Sequence, residues 1–327
     1  MVVNGFLQQG KAHIKNNTPC QDSVSVHQGS FTTMVCVSDG AGSKAYSHLG
    51  SDTITANLTN AIEEKFDAWH NQIIQGTFEE SFEVYVQEVL QAKVKELNHS
   101  AKLDKEIVLS DLACTLVMYA EKEDRAFLVH VGDGRILGLR SDYWFETLSF
   151  PENAEFANVT YFLTQPHLQK HIRAKVLNPK DYHAVLCMTD GGDDIFYVSS
   201  KSMVIAGLYY VLVDAIENNA KFIEKFQSFL ANDTPVTVSD DIGIALLIRD
   251  EKMDMEAYQR ILHQLKEQGC LKTIESLNKN QLRNSEAIEF QHSDNPERTV
   301  EVKVSEEVSN ASSINEDTSP SEKPNEN

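Results

Sequence analysis

Apolar runs in this chain repeatedly stop at an aspartate, and this punctuation limits the possible folds more than any other feature of the sequence. MVCVS runs into Asp39, FLVHVG into Asp133 and AVLCMT into Asp190, while Asp240 and Asp241 come directly before IGIALLI. Asp22 precedes a shorter alternating segment, SVSVH. Short apolar runs of this kind, bounded by turn residues, read as buried strands. A carboxylate at the end of such a strand sits at the rim of a sheet. If neighbouring strands are antiparallel, Asp240 at a strand start can face Asp39 and Asp190 at strand ends. Like charges gathered at one sheet edge repel unless cations neutralise them. Asp-Gly after a strand is also the commonest hairpin signal, so any one motif alone reads more readily as a turn than as a ligand. Their repetition in one chain points to a shared site.

The rest of the pattern places strands and helices in blocks. Residues 31–38 (FTTMVCVS) read as a buried strand. Ile54, Leu58, Ala61, Ile62 and Phe66, and then Phe78, Phe82, Val86, Val89, Leu90 and Leu97, recur at helical spacing. ACTLVMYA, RAFLVHVGD, RILGLR and WFETLSF follow with brief breaks, as expected of an antiparallel meander. After HAVLCMT come two more helical stripes, one with Ile205, Leu208, Leu212 and Ile216, the other with Phe222, Phe226, Phe229 and Leu230; IGIALLI then forms a last strand. Segregated blocks imply an α+β layered sandwich, sheet on sheet with helices outside. Residues 253–277 read as a charged helix. No internal repeat is present.

Composition narrows the function. The chain has 327 residues, 41% of them hydrophobic, enough for a sizeable core. A formal net charge of -20 argues against nucleic acid or anionic lipid as a partner, while leaving a divalent cation or a basic peptide open. The cysteines (Cys20, Cys36, Cys114, Cys187 and Cys270) form no CxxC pair, so neither a disulfide framework nor a thiolate zinc site is expected. With no signal-like start and no apolar run near the ~18 residues of a membrane helix, a cytoplasmic protein is expected, with no membrane partner. From residue 284 onward the chain is rich in Ser, Asn, Glu and Pro, with 11 acidic and 3 basic residues. That composition predicts a disordered acidic tail. The expected organisation is a domain over 1–250, a helical extension over 251–283 and the tail over 284–327.

Carboxylates without accompanying His or Cys suit hard cations, Mg²⁺ or Mn²⁺, and not zinc. Two ions sharing a carboxylate would acidify a water into a nucleophile and neutralise a bound phosphate. Glycines at positions 40, 42, 132, 134, 191 and 192 would let the backbone turn sharply beside the acids.

These residues together resemble a known family. Gln21-Asp22-Ser23, Val37-Ser38-Asp39-Gly40-Ala41-Gly42-Ser43, Gly132-Asp133-Gly134-Arg135, Thr189-Asp190-Gly191-Gly192-Asp193-Asp194 and Ser239-Asp240-Asp241-Ile242 occur in the order seen in the protein phosphatase 2C (PP2C-type, PPM) family of metal-dependent serine/threonine phosphatases. The similarity is to its compact bacterial branch and spans about residues 5–250. It implies a four-layer α-β-β-α sandwich of two mainly antiparallel sheets flanked by helices. It also implies hydrolysis of phosphoserine or phosphothreonine by a metal-bridging hydroxide, on phosphoproteins such as a cognate Ser/Thr protein kinase or its targets. By position, Asp39 matches the carboxylate bridging two Mn²⁺ or Mg²⁺ ions, and Gly40 a carbonyl ligand of the second. Asp190 and Asp240 match the other carboxylates of the first ion. Asp22 matches a residue acting on the second ion largely through water. Asp133 and Asp194 match positions that hold a third, weaker ion. Asp39, Asp190 and Asp240 are thus the expected catalytic residues. Arg135 matches an arginine expected to be structural.

The chain also departs from the pattern. Gln21 stands where many members have glutamate, and Ala41 where animal enzymes keep a histidine proposed as general acid. The phosphate-gripping arginine of those enzymes has no match; His13 and Lys15 are the available substrate contacts. The family's flap is expected within 149–182. Cys20 is expected to be inert, His130 a packed strand residue, Asp193 a residue facing away or capping a helix, and Asp241 a supporting neighbour of Asp240. A pseudophosphatase with the same fold, binding without turnover, is the alternative; an acidic scaffold acting through its tail is a more distant one.

Overall fold

A computed structural model describes residues 1–100, 106–152, 160–217, 219–232, 238–249 and 254–267 of the chain. All of these lie in the first of two compact units, Met1–Phe290. The expected acidic tail and the end of the expected helix over 253–277 lie outside the described residues.

The strands, in chain order, are β1 (Val2–Gln8), β2 (Ser23–Gln28), β3 (Thr32–Ser38), β4 (Leu116–Lys122), β5 (Arg125–Val131), β6 (Arg135–Arg140), β7 (Phe145–Ser149), β8 (Arg173–Leu177), β9 (Tyr182–Met188), the short pair β10 (Tyr197–Val198) and β11 (Met203–Val204), and β12 (Ile242–Ile248). The helices are α1 (Lys11–Asn16), α2 (Ser47–Gln75), α3 (Phe78–Ser100), α4 (Asp190–Phe196), α5 (Ala206–Glu217), α6 (Asn219–Asn232) and α7 (Met255–Glu267). One sheet runs β1-β12-β9-β6-β7 and the other β2-β3-β4-β5-β8, every pairing antiparallel.

Three apolar layers hold the sandwich. Val35, Val37, Val117, Tyr119, Val185, Cys187, Ala245 and Leu247 interleave between the sheets. Met34, Cys36, Met118, Phe127 and Val129, on the alternate face of the second sheet, pack on Ile54, Leu58, Phe66, Phe82 and Leu90 of α2 and α3. Leu186, Leu246 and Phe6, on the outer face of the first sheet, pack on Leu208, Leu212, Phe222 and Phe226. Phe6 and Phe226 meet edge to face at 4.7 Å, so the phenylalanine stripe of α6 is core. The result is the expected α+β, four-layer sandwich.

The chain does not continue a single meander after β5. It crosses from the second sheet to the first through Gly132-Asp133-Gly134, and β6 pairs with β9. Gly132 takes a φ of 110° there, and a Cβ would lie 2.6 Å from Thr115 Cγ2. β4, β5 and β6 are each buried on both faces, so their hydrophobic pattern cannot say to which sheet each belongs. The stretch 149–182, where a flap was expected, supplies β8 at the edge of the second sheet; residues 153–159 lie outside the described residues. Among the described residues no helix is long and apolar enough to cross a membrane.

Arg135, at the start of β6, and Asp193, in α4, lock that helix onto the first sheet. The guanidinium donates to both carboxylate oxygens, at 2.5 and 3.0 Å, and lies 3.5 Å from the centre of the Tyr197 ring. Arg135 is thus structural as expected, and Asp193 turns to this arginine and caps no helix. Burial raises the Asp193 carboxyl above the usual range even with this partner, so the pair gains little over an apolar contact while its loss is costly. Asp193→Ala would strand a buried arginine and is expected to cost roughly 3 kcal/mol in urea unfolding, with Mn²⁺ affinity retained.

Candidate metal centre

Antiparallel pairing brings the strand-terminal aspartates to one end of the sandwich. Ser23 pairs with Ser38, so Asp22, just before β2, and Asp39, just after β3, sit side by side. Leu116 pairs with Val131, which places Asp133 at the same end. In the other sheet Met188 pairs with Ile244 and Arg135, so Asp190 and Asp240 share that end too. The sequence pattern suggests a single sheet edge; the structure builds the group across the rims of both sheets.

Backbone and threonine hydrogen bonds fix the approach. Asp39 N–H donates to Thr115 Oγ1 at 2.9 Å, Thr115 N–H returns a bond to the Asp39 carbonyl at 2.8 Å, and Gly40 N–H donates to the Gln21 carbonyl at 3.1 Å. Thr189 Oγ1 donates to Asp22 Oδ2 at 2.7 Å and accepts from Gly243 N–H at 2.9 Å, tying the first sheet to the second. Asp190 opens α4, which presses on the strand start so closely that a Cβ on Gly191 would lie 2.0 Å from the Asp241 carbonyl oxygen. Only glycine fits there.

The electrostatics are those of an acidic cluster in which no cation among the described residues acts to lower Asp22, Asp39 or Asp190. Burial pushes Asp22 and Asp39 well above the ordinary carboxylate range, and each raises or contacts the other, with Asp190 adding to both. Asp190 is pushed up to about 7, first by burial, then by Asp133 and Asp240, against a Gly191 N–H donated at 2.7 Å. Asp194, more exposed, is raised by burial and then by Asp193 and Asp240. Asp133 accepts a hydrogen bond from Thr160, yet its Oδ1 is buried without a partner. An all-oxygen donor set, an orphaned carboxylate oxygen and mutual repulsion are what a hard divalent cation would relieve, so these residues fit Mn²⁺ or Mg²⁺.

The structure therefore brings Asp22, Asp39, Asp133, Asp190, Asp194 and Asp240 into one electrostatic group, with Gly40 beside Asp39. Lys15 is not drawn in; its side chain is exposed on α1. His13 lies at the margin, its Nδ1 2.8 Å from Asp241 Oδ2. Gln21 is buried and its amide donates to the Lys44 carbonyl at 3.0 Å and to Ser47 Oγ at 2.7 Å, holding the loop after Gly40. A glutamate could not donate either bond. Burial, then Asp241 and Asp22, raise the Cys20 thiol, which keeps it protonated and unreactive. His130 is fully buried, bonded through Nδ1 to Ser149 Oγ at 2.7 Å, and held neutral by burial and by Arg173 and Arg135. The supporting role of the threonines escapes a reading of the sequence, although Thr189 opens the Thr189–Asp194 motif. Their signal is position: Thr189 directly precedes Asp190, and Thr115 directly precedes β4 beside Asp39.

A family profile described as protein phosphatase 2C matches residues 9–243. Serine/threonine-protein phosphatase 3 of Escherichia coli (strain K12) is 25% identical over 191 residues, covering 56% of this chain and 70% of that protein. A crystal structure of a bacterial serine phosphatase variant superposes with a TM-score of 0.50 at 13% identity, covering 76% of this chain and 98% of the other. The catalytic domain of the serine threonine protein phosphatase PstP, solved with 2 manganese ions, superposes with a TM-score of 0.48 at 15% identity, covering 75% of this chain and 96% of the other.

Proposed function

Since the chain belongs to the protein phosphatase 2C family and is a metal-dependent phosphoprotein phosphatase, we propose that its acidic rim is where phosphoserine and phosphothreonine esters are cleaved. One observation carries this reading: aspartates from separate chain segments are packed so closely that the charged neighbours raising Asp22, Asp39 and Asp190 are all other aspartates.

Asp39, Asp190 and Asp240, with the Gly40 carbonyl and Asp22, would hold two Mn²⁺ or Mg²⁺ ions; Asp133 and Asp194 would hold a third, weaker one. Such ions supply a nucleophile from bound water and neutralise phosphate oxygens. The protein's own part is placement. Asp39 is clamped at its backbone on both sides by Thr115, and Thr189 fixes the Asp22 carboxylate, so the cluster has little freedom to spread. His13, at the rim, is the better placed of the two expected phosphate contacts; Lys15 would have to reach in from an exposed position. A covalent enzyme intermediate is not called for, since a metal-bound water would serve as the nucleophile. The substrates would be cytoplasmic phosphoproteins, a cognate Ser/Thr kinase or its targets among them, and residues 1–250 the phosphatase domain.

The test is phosphate release from a phosphothreonine peptide. Release is expected with Mn²⁺, abolished by EDTA and restored by added Mn²⁺. Release indifferent to chelation would contradict the metal reading. No release from any phosphopeptide with either ion would leave a binding module of the same fold.

A further inference from the structure

Asp241 does more than flank Asp240. Its carboxylate is 1% exposed. Oδ1 accepts Gly10 N–H at 2.7 Å, Oδ2 accepts Gln21 N–H at 2.5 Å, and His13 Nδ1 lies 2.8 Å from Oδ2. The histidine contact is an ion-pair approach and not a hydrogen bond. One buried side chain thus gathers the entry to α1, the segment that delivers Asp22, and the turn that delivers Asp240. Backbone contacts reinforce the junction: Ala12 N–H donates to the Ser239 carbonyl at 3.0 Å, and a Cβ on Gly10 would lie 2.4 Å from the Asp240 carbonyl carbon. The segment carrying His13 is laid directly on the backbone of Asp240.

His13, Asp240 and Asp241 present ligand atoms within 4.8 Å of one another, a spacing that could suit a cation. The chemistry of Asp241 argues otherwise. Both of its oxygens already accept backbone N–H groups, and one of them also faces an imidazole nitrogen. A carboxylate so committed is a poor metal ligand and a good clamp. A carboxylate against one ring nitrogen orients a histidine and leaves the other nitrogen to act. Among the described residues, no hydrogen bond commits His13 Nε2.

We propose that Asp241 is a positioning residue that holds His13 beside the Asp240 end of the acidic rim, where Nε2 contacts an oxygen of the phosphate ester. The inference rests on the phosphatase reading. It assigns to the His13–Asp241 pair the substrate contact for which the chain has no matching arginine. It also explains a carboxylate at position 241: asparagine offers a single acceptor oxygen and would turn an NH₂ toward one of the two backbone N–H donors.

Steady-state kinetics on a phosphothreonine peptide with saturating Mn²⁺ test the pair in wild type, His13→Ala, Asp241→Asn and the double variant, with Mn²⁺ binding measured alongside. Each single variant is expected to lose roughly 10- to 100-fold in kcat/KM, the scale of one hydrogen bond to a charged group. The double variant should lose no more than the worse single one, and His13→Ala should bind Mn²⁺ as wild type does. Losses that multiply would show that Asp241 does not act through His13 and would overturn the proposal, as would full activity in His13→Ala. Should Asp241→Asn fail to fold, ring ¹⁵N NMR of the Mg²⁺-loaded wild type decides. Inorganic phosphate is expected to shift the His13 Nε2 signal, identified by its loss in His13→Ala, and no shift overturns the proposal. Inactivity of wild type itself would defeat the phosphatase reading instead, a separate outcome.

Discussion

Asp39→Asn is expected to lower kcat at least about 10³-fold with Mn²⁺ present, and at the same time to make the metal-free protein more stable. The first effect follows from the place of Asp39 at the meeting of Asp22, Asp190 and Asp133. An amide there cannot serve as a charged ligand to two ions, and interactions made at the reacting centre are worth about 10²–10³ in rate even for a single neutral donor. The second effect has the opposite sign and a different origin. Without metal, Asp39 is one like charge too many in a buried group, held well above the ordinary carboxylate range by burial and by its neighbours. Asparagine keeps the shape and removes the charge, so unfolding at pH 7 without metal should become harder by roughly 1 kcal/mol or more. Kinetics and urea unfolding of one variant check both halves. Undiminished turnover would contradict the role of Asp39, and a less stable metal-free protein would contradict the repulsion.

The metal-free wild type should lose stability as pH rises, the reverse of a protein whose carboxylates are salt-bridged. Asp22, Asp39 and Asp190 all have folded-state values above their unfolded ones, Asp190 at about 7. The folded state therefore binds more protons than the unfolded chain between about pH 4 and 7, and stability falls with pH across that window. The contribution is fully present below about pH 4 and lost as pH climbs through 7, Asp22 and Asp39 acting in the same direction. Divalent cations compete with those protons, so their effect grows with pH. At Mn²⁺ near 100 times its Kd the gain is about 2.7 kcal/mol, or roughly 5–10 °C in Tm for a body of this size. Thermal melts with EDTA and with Mn²⁺, at pH 5 and pH 8, isolate the effect, because titrations remote from the cluster cancel in the difference. A metal-induced shift equal at both pH values would contradict it.

The sequence made some of this legible and hid the rest for identifiable reasons. Asp39, Asp190 and Asp240 are visible because an apolar run that ends in a carboxylate is a local signal, and antiparallel pairing then determines where such ends meet. The helical stripes of α2 and α3 are visible because each buries one face over several turns. The crossing between sheets after β5 is not visible, since strands apolar on both faces carry no mark of their sheet. β1 is also hidden: Asn4 and Gly5 interrupt its apolar run, and its partner is β12, at the other end of the domain. In the sequence Asp241 reads as a companion of Asp240 because the groups it serves, the amides of Gly10 and Gln21, are backbone and leave no trace in residue type. Lys15 is suggested by its charge and its place in the Gly10–Lys15 segment, neither of which tells that its side chain is exposed.

The account depends on aspartates from both sheets being held together by trapped cations, and manganese anomalous scattering from a crystal grown in Mn²⁺ tests that most directly. Two manganese peaks are expected within bonding distance of the Asp39 carboxylate, with Asp190 and Asp240 reaching one of them. A map with no manganese touching Asp39, while Asp22 and Asp39 still pack side by side, would show that the acidic rim holds together without metal and would contradict the account.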